Sequence, residues 1–202
     1  MDGMTLAIII IALALVFDFL NGFHDAANAI ATIVVTRTLT PFQAVLLAGA
    51  ANFVGYFTFG VAIAKTIGKG IIVVDHVTLP LILGALIGAI IWNIITWLWG
   101  LPTSSSHALI GALIGSGVAS AGFKIVIWAG VLKVAAFIIL APLLGMLASM
   151  LFTWIIIWLF HKSRPATTAN VFKKLQLISA TFYSIGHGTN DAQKVMGIIA
   201  MA

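Results

Sequence analysis

Long apolar runs, each broken or closed by a few polar residues, make up most of the chain. The first runs from Met4 to Phe17, meets the cluster "DFLNGFHDAANAI" (Asp18–Ile30), and resumes as far as Val35, where "TRTLTP" closes it. This pattern predicts a membrane span broken in its middle. A second span is predicted from about Gln43 to Lys65, with Gly49, Gly55 and Gly60 allowing another helix to approach closely. A third covers Leu81–Trp99 and ends in "WNIITWLWG", whose tryptophans suit a membrane interface. The stretch "GLPTSSSHALIGALIGSGVASAG" follows, rich in Gly, Ser and Ala, and predicts a re-entrant hairpin near 101–123. Such a segment survives only when buried in protein or facing a water-filled cavity. Ile125–Phe160 is apolar over more than one membrane thickness, since a single helix of that length would be about 50 Å long. It is either one strongly tilted helix or two short spans hinged at Ala141–Pro142, and the second is the favoured expectation. The last span starts near Leu175 and is interrupted by "SIGHGTNDAQK" before "VMGIIAMA".

Composition agrees with the pattern. The 202 residues are 62% hydrophobic and only 7% charged, where a soluble domain carries about 25% charge. The chain therefore reads as an all-α integral membrane protein, a multi-pass helical bundle. With about 20 residues per crossing it has room for about five to seven passes. It has no cysteine, which excludes disulfides and thiolate metal sites. The net charge of +5 is concentrated in "HKSRPATTANVFKK", with His161, Lys162, Arg164, Lys173 and Lys174. Between membrane spans, a basic segment at 161–174 reads as a cytoplasmic loop rather than a nucleic-acid patch. This topology puts Lys65 and Lys69 on the outer side, a mild violation of the same rule. The N-terminal "MDGMT" lacks a basic region, so it is not a cleavable signal peptide and suits an external terminus.

The two polar clusters match each other. "NGFHDAAN" (Asn21–Asn28) set against "HGTNDAQK" (His187–Lys194) aligns Gly22 with Gly188, Asp25 with Asp191 and Ala26 with Ala192. A duplicated polar break in corresponding places of two halves points to a secondary transporter. An odd number of crossings between the copies would make the repeat inverted. The expected organisation is a first repeat over 1–160, the basic loop over 161–174, and the start of a second repeat over 175–202.

An ionised carboxylate at the bilayer centre costs at least about 3 kcal/mol on insertion scales and needs a partner. Asp25 and Asn28 are three apart and share a helix face. Their oxygens suit a small alkali cation, and Asp191 offers the repeated carboxylate. A polar pair that only locks helix packing is the plainer reading of either cluster. In "PTSSSH", Thr103 and Ser104–Ser106 stand at a predicted helix start, where free N–H groups and hydroxyls suit a tetrahedral oxyanion. An ordinary N-cap accounts for a Ser or Thr there equally simply. His24 and His187 adjoin the carboxylates and are candidates for proton-linked behaviour. His107 either carries a proton or packs. Lys133 fits a snorkelling role, and Asp18 pairs with a helix end or with a histidine. No Gly-x-Ser-x-Gly elbow or His-Glu-x-x-His motif is present, so an enzyme is not expected.

Three segments together, "DFLNGFHDAANAIATIVVTRTLTP", "GLPTSSSHALIGALIG" and "FYSIGHGTNDAQKVMGIIA", resemble the inorganic phosphate transporter (PiT) family in its bacterial low-affinity branch. The resemblance implies a symporter of inorganic phosphate in the cytoplasmic (inner) membrane. Na⁺ or H⁺ would be coupled, with no cofactor, and a metal–phosphate complex is a further form of the substrate. It also implies inverted repeats, broken helices and two hairpins around a central site. Carried over by motif, Asp25 and Asn28 are cation ligands of the first repeat, Asp191 with Asn190 of the second, and Thr103, Ser104, Ser105 and Ser106 bind phosphate. Asp25, Asn28 and Asp191 are thus the Na⁺ ligands expected.

Two departures stand out. The family's second cluster has Asn three residues after Asp, where this chain has Lys194. Lys194 then either places its ammonium where a second cation would bind or reaches the interface as an anchor. The family also carries a second "PTSSSH"-like hairpin downstream, whereas this chain ends at "IIAMA". The expectation is a truncated piece; the rival from outside transport is a non-transporting remnant or assembly subunit that needs a partner chain. A sulfate permease is the rival within transport, because both substrates are tetrahedral oxyanions. A site carboxylate favours phosphate, which can donate a hydrogen bond, over sulfate, which cannot near neutral pH. A homodimer is a compatible assembly.

Overall fold

The computed structural model describes residues 2–58 and 70–202. Within them lie the helices α1 (Gly3–Val35), α2 (Pro41–Thr58), α3 (Leu79–Leu98), α4 (Ser105–Ala121), α5 (Trp128–Phe160) and α6 (Pro165–Ile199), with 3₁₀ turns at Val74–His76 and Phe123–Ile125. The end of the expected second span, with Gly60, Lys65 and Lys69, lies outside the described residues. The all-α membrane class is as expected, and α1, α3 and α5 are long and apolar enough to cross a membrane.

Both helices expected to be broken are continuous. α1 runs through Asp18–Ile30, and α6 runs through the whole of "SIGHGTNDAQK". Neither cluster contains a proline, so no backbone hydrogen bond has to be given up. Several of the polar side chains pair within their own helix or across to another, and the backbone keeps its own ladder. α5 likewise corrects the expectation of two hinged spans. It is one 33-residue helix with Pro142 inside it, about 50 Å long at 1.5 Å per residue. In a membrane helix one proline costs one local bond and is tolerated. α6 starts at Pro165, so Lys173 and Lys174 are helical and the non-helical part of the basic segment is only 161–164.

A helical hairpin surrounds the "PTSSSH" stretch. α3 and α4 are its two arms, packed antiparallel: Ser116 Oγ donates to the Leu81 carbonyl at 2.8 Å, and Gly84 and Gly88 face Ser116 and Ala112. The far ends of both arms return to one place, where Ile72 and Val126 form an antiparallel bridge. Val73 N–H donates to the Ile125 carbonyl and Ile127 N–H to the Ile71 carbonyl, both at 2.9 Å. The tip of the hairpin is 99–104.

One stripe of α1, Ile10, Ala14, Phe17 and Asn21, is buried at helical spacing. Its apolar part packs with Leu81, Ile82, Ala85, Leu86 and Ala89 of α3 and with Leu109 and Leu113 of α4. α6 lies against both α1 and α2. It runs antiparallel to α1, because Thr36 Oγ1 reaches Gln176 at 2.9 Å while Asp25 faces His187. α5 buries none of its residues; apolar all round, it suits lipid contact.

Close approach of α2 and α6 depends on glycine. A Cβ at Gly188 would overlap the Asn52 backbone, and one at Gly55 would overlap the Ile185 carbonyl. Thr189 Oγ1 ties the same crossing by donating to the Gly55 carbonyl at 2.7 Å. Gly188→Ala is therefore expected to lower stability by about 1–3 kcal/mol, the usual cost of overpacking. Gly22→Ala, with open space at that position, should not. Thermal unfolding of the two variants in detergent checks the contrast.

Candidate functional site

The continuous α1 and α6 carry the two matching clusters, and the start of α4 carries the serines. The structure brings all three together in one chain of polar contacts. Asn28 Nδ2 donates to Asp25 Oδ1 at 3.2 Å. Asp25 Oδ2 lies 3.7 Å from His187 Nε2, which lies 3.0 Å from Asp191 Oδ2. Lys194 Nζ is 2.7 Å from Asp191 Oδ1 and donates to Ser105 Oγ at 3.1 Å. Ser105 in turn donates to Asn21 Oδ1 in a short hydrogen bond. The line Asn28–Asp25–His187–Asp191–Lys194–Ser105–Asn21 thus spans both motifs and the hairpin arm.

Burial increases along this line. Asn28 is exposed, Asp25 and His187 are half-buried, and Ser105, Lys194 and Asn21 are buried. In a low-dielectric setting these groups need one another, because an unpaired buried polar atom costs about 1–3 kcal/mol. Tyr183 stacks on His187, with ring planes 7° apart and centroids 6.1 Å apart, and so holds the imidazole between the two carboxylates.

The remaining expected residues divide. Ser104 caps α4, accepting from the His107 N–H at 3.4 Å, which is the ordinary capping role. Thr103, Ser104 and His107 line a cavity of about 430 Å³ between the hairpin arms, with Trp92, Gly88 and Gly111. Ser105 points the other way, into the polar line, and Ser106 is half-buried. The four hydroxyls therefore do not converge on one point. Asn190 is exposed and His24 half-buried, and neither joins the line. The expected Na⁺ ligands are also separated, with His187 between Asp25 and Asp191. Among the described residues no three His, Cys, Asp or Glu side chains form a metal cluster.

A second cavity, of about 480 Å³, opens beside Asp191. Asp18, Gly22, Asn52, Tyr56 and Gly188 line it, so its charged groups are carboxylates and it suits a cation or water better than an anion. Asn21 and Asn52 carry no assigned role in the sequence reading, although a lone Asn on a Gly- and Ala-rich membrane helix is a signal of its own. Asn93 was likewise silent. It is buried in α3 with both amide atoms unpartnered, as is Asn21 Nδ2.

The profile of the phosphate transporter family (PHO4) matches residues 21–202. The chain is 52% identical over 192 residues to a "Probable low-affinity inorganic phosphate transporter" of Rhizobium meliloti, covering 95% of this chain and 58% of that one. It is 48% identical over 201 residues to the protein so named in Bacillus subtilis, covering 98% and 60%. For the Streptomyces halstedii protein of that name the identity is 46% over 188 residues, covering 92% and 87%. Among solved structures it is similar to "The sodium-dependent phosphate transporter", with a TM-score of 0.83 and 25% identity, over 98% of this chain and 67% of that one. The chain thus spans about three-fifths of the length of the first two relatives. It belongs to the phosphate transporter family.

Proposed function

We propose that this chain carries out, or forms the first part of, secondary active symport of inorganic phosphate across the cytoplasmic membrane. A co-transported cation, Na⁺ or H⁺, drives it. The observation that carries the reading is the polar line from Asp25 to Ser105, which links both carboxylate motifs to the hairpin. Asp25 and Asn28 hold the coupling cation: the amide uses its N–H on Asp25, and its own oxygen stays available. The phosphate occupies the α4 N-terminus, where free backbone N–H groups favour an anion and Thr103 and Ser104 face the cavity, while Ser105 joins that end to the polar line. Thr103 closes that end.

The antiparallel run of α1 and α6 supports an inverted repeat. The two hairpin arms return to one place, as those of a re-entrant α3–α4 unit would, and Ser105 beside the tip is bonded to Asn21. Phosphate is favoured over sulfate by the family and by the carboxylates near the site, which would repel an anion unable to donate a hydrogen bond.

Radiolabelled phosphate uptake by reconstituted vesicles tests this, under an imposed Na⁺ or H⁺ gradient with excess unlabelled sulfate. Gradient-driven uptake that sulfate leaves intact is expected. Uptake indifferent to both gradients, or blocked by sulfate, would overturn the reading.

A further inference from the structure

The two motifs match at Gly, Asp and Ala, and each carboxylate pairs with the residue three positions beyond it. On α1 the partner three residues beyond the carboxylate is a neutral amide, with Asn28 Nδ2 at 3.2 Å from Asp25 Oδ1. On α6 it is an ammonium, with Lys194 Nζ at 2.7 Å from Asp191 Oδ1. The lysine does not snorkel to an interface. Its side chain is 5% exposed, and Nζ turns inward to Ser105 Oγ on the hairpin arm. The oxygens it engages, a carboxylate and a hydroxyl, are hard ligands of the kind an alkali cation takes.

We infer that Lys194 is a tethered cation. Its ammonium fills, in the second motif, the position that a mobile alkali cation would occupy, and it fastens that motif to the hairpin. A tethered ammonium neutralises Asp191 but cannot leave with the substrate. It therefore supplies charge without adding a transported ion. Mobile alkali cations are confined to the Asp25 side, a last step that rests on the function proposed above. The same bond to Ser105 holds the start of α4 against α6, so the hairpin arm is docked without any cation being bound.

Equilibrium binding of radioactive Na⁺ to the purified chain in lipid nanodiscs, with choline as the replacing ion, tests this. Lys194→Asn gives the second motif the residue that the first one has. It is expected to gain one saturable Na⁺ per chain over the parent, and adding Asp191→Asn should remove that gain. Lys194→Arg, which keeps the charge, should gain none. If Lys194→Asn is unstable without salt, refolding by NaCl but not by choline chloride is the same result read through stability. The reverse exchange at an exposed position, Asn28→Lys, is expected to abolish Na⁺ binding on the Asp25 side.

A Lys194→Asn variant with no Na⁺-specific gain in binding or folding would overturn the inference, as would, where the parent binds Na⁺, an Asn28→Lys variant that binds it equally well. If the parent binds no Na⁺ while Lys194→Asn binds one, the tethered cation stands and the assignment of a mobile Na⁺ to Asp25 falls.

Discussion

Asp191→Asn is expected to destabilise the chain by about 3–5 kcal/mol, the usual cost of removing one partner from a buried ion pair. Lys194 is nearly fully enclosed, with Asp191 as its charged partner and Ser105 as a neutral one. Removing the carboxylate leaves an ammonium in low dielectric with Ser105 as its hydrogen-bonding partner. The compensating variant makes the test specific. Asp191→Asn combined with Lys194→Met removes both charges, and replacing a buried pair by neutral groups is often close to neutral in stability. The double variant should recover most of the loss in unfolding measurements in detergent. It should not recover phosphate uptake, because the link from the second motif to Ser105 is gone. If the two single variants were additive, the ion pair would have no energetic reality.

Asp25→Asn should show the opposite balance. Asp25 is about a quarter exposed and lies 3.7 Å from His187, so its contribution to stability is that of a partly solvated pair, about 1 kcal/mol or less. His187 keeps its closer partner, Asp191, at 3.0 Å. Transport should suffer far more. Losing one charge-assisted ligand costs about 1.5–3 kcal/mol, or about 10–100-fold in cation affinity. Gradient-driven uptake should therefore fall by at least about tenfold, with little change in melting temperature. Unchanged uptake would remove Asp25 from the cation site.

Much of this arrangement was legible in the sequence, for physical reasons. Charge so sparse in so apolar a chain can only be a membrane protein, and two copies of a Gly–x–x–Asp–Ala pattern inside apolar runs had to meet partners somewhere. The structure joins Asp25, Asp191, Lys194 and Ser105 in one line, as pairs of polar groups in lipid require. What misled was reading polarity as a break. Asp18–Ile30 and Ser184–Lys194 look like interruptions in a hydropathy pattern, yet a helix is interrupted only when its backbone bonds are lost, and satisfied side chains leave those bonds intact. Pro142 misled in the same way. The partition of "TSSS" was not legible either. Adjacent residues on a helix point about 100° apart, so Ser104 and Ser105 could not share one target once α4 began at Ser105. Asn21 was overlooked because its partner, Ser105, comes from a distant segment, and no local spacing reveals a tertiary neighbour.

If phosphate and a coupling cation share one linked site across α1, α4 and α6, as proposed, the binding of each must depend on the other. Equilibrium binding of radiolabelled phosphate to the purified chain in nanodiscs, with and without Na⁺ and at two proton concentrations, tests it most directly. Linkage requires reciprocity: a cation that tightens phosphate binding by some factor must itself be bound tighter by phosphate by the same factor. The expected result is saturable phosphate binding strengthened by one of the two cations, lost in Asp25→Asn and weakened in Ser105→Ala. Phosphate binding with the same affinity at every cation concentration would contradict the shared site.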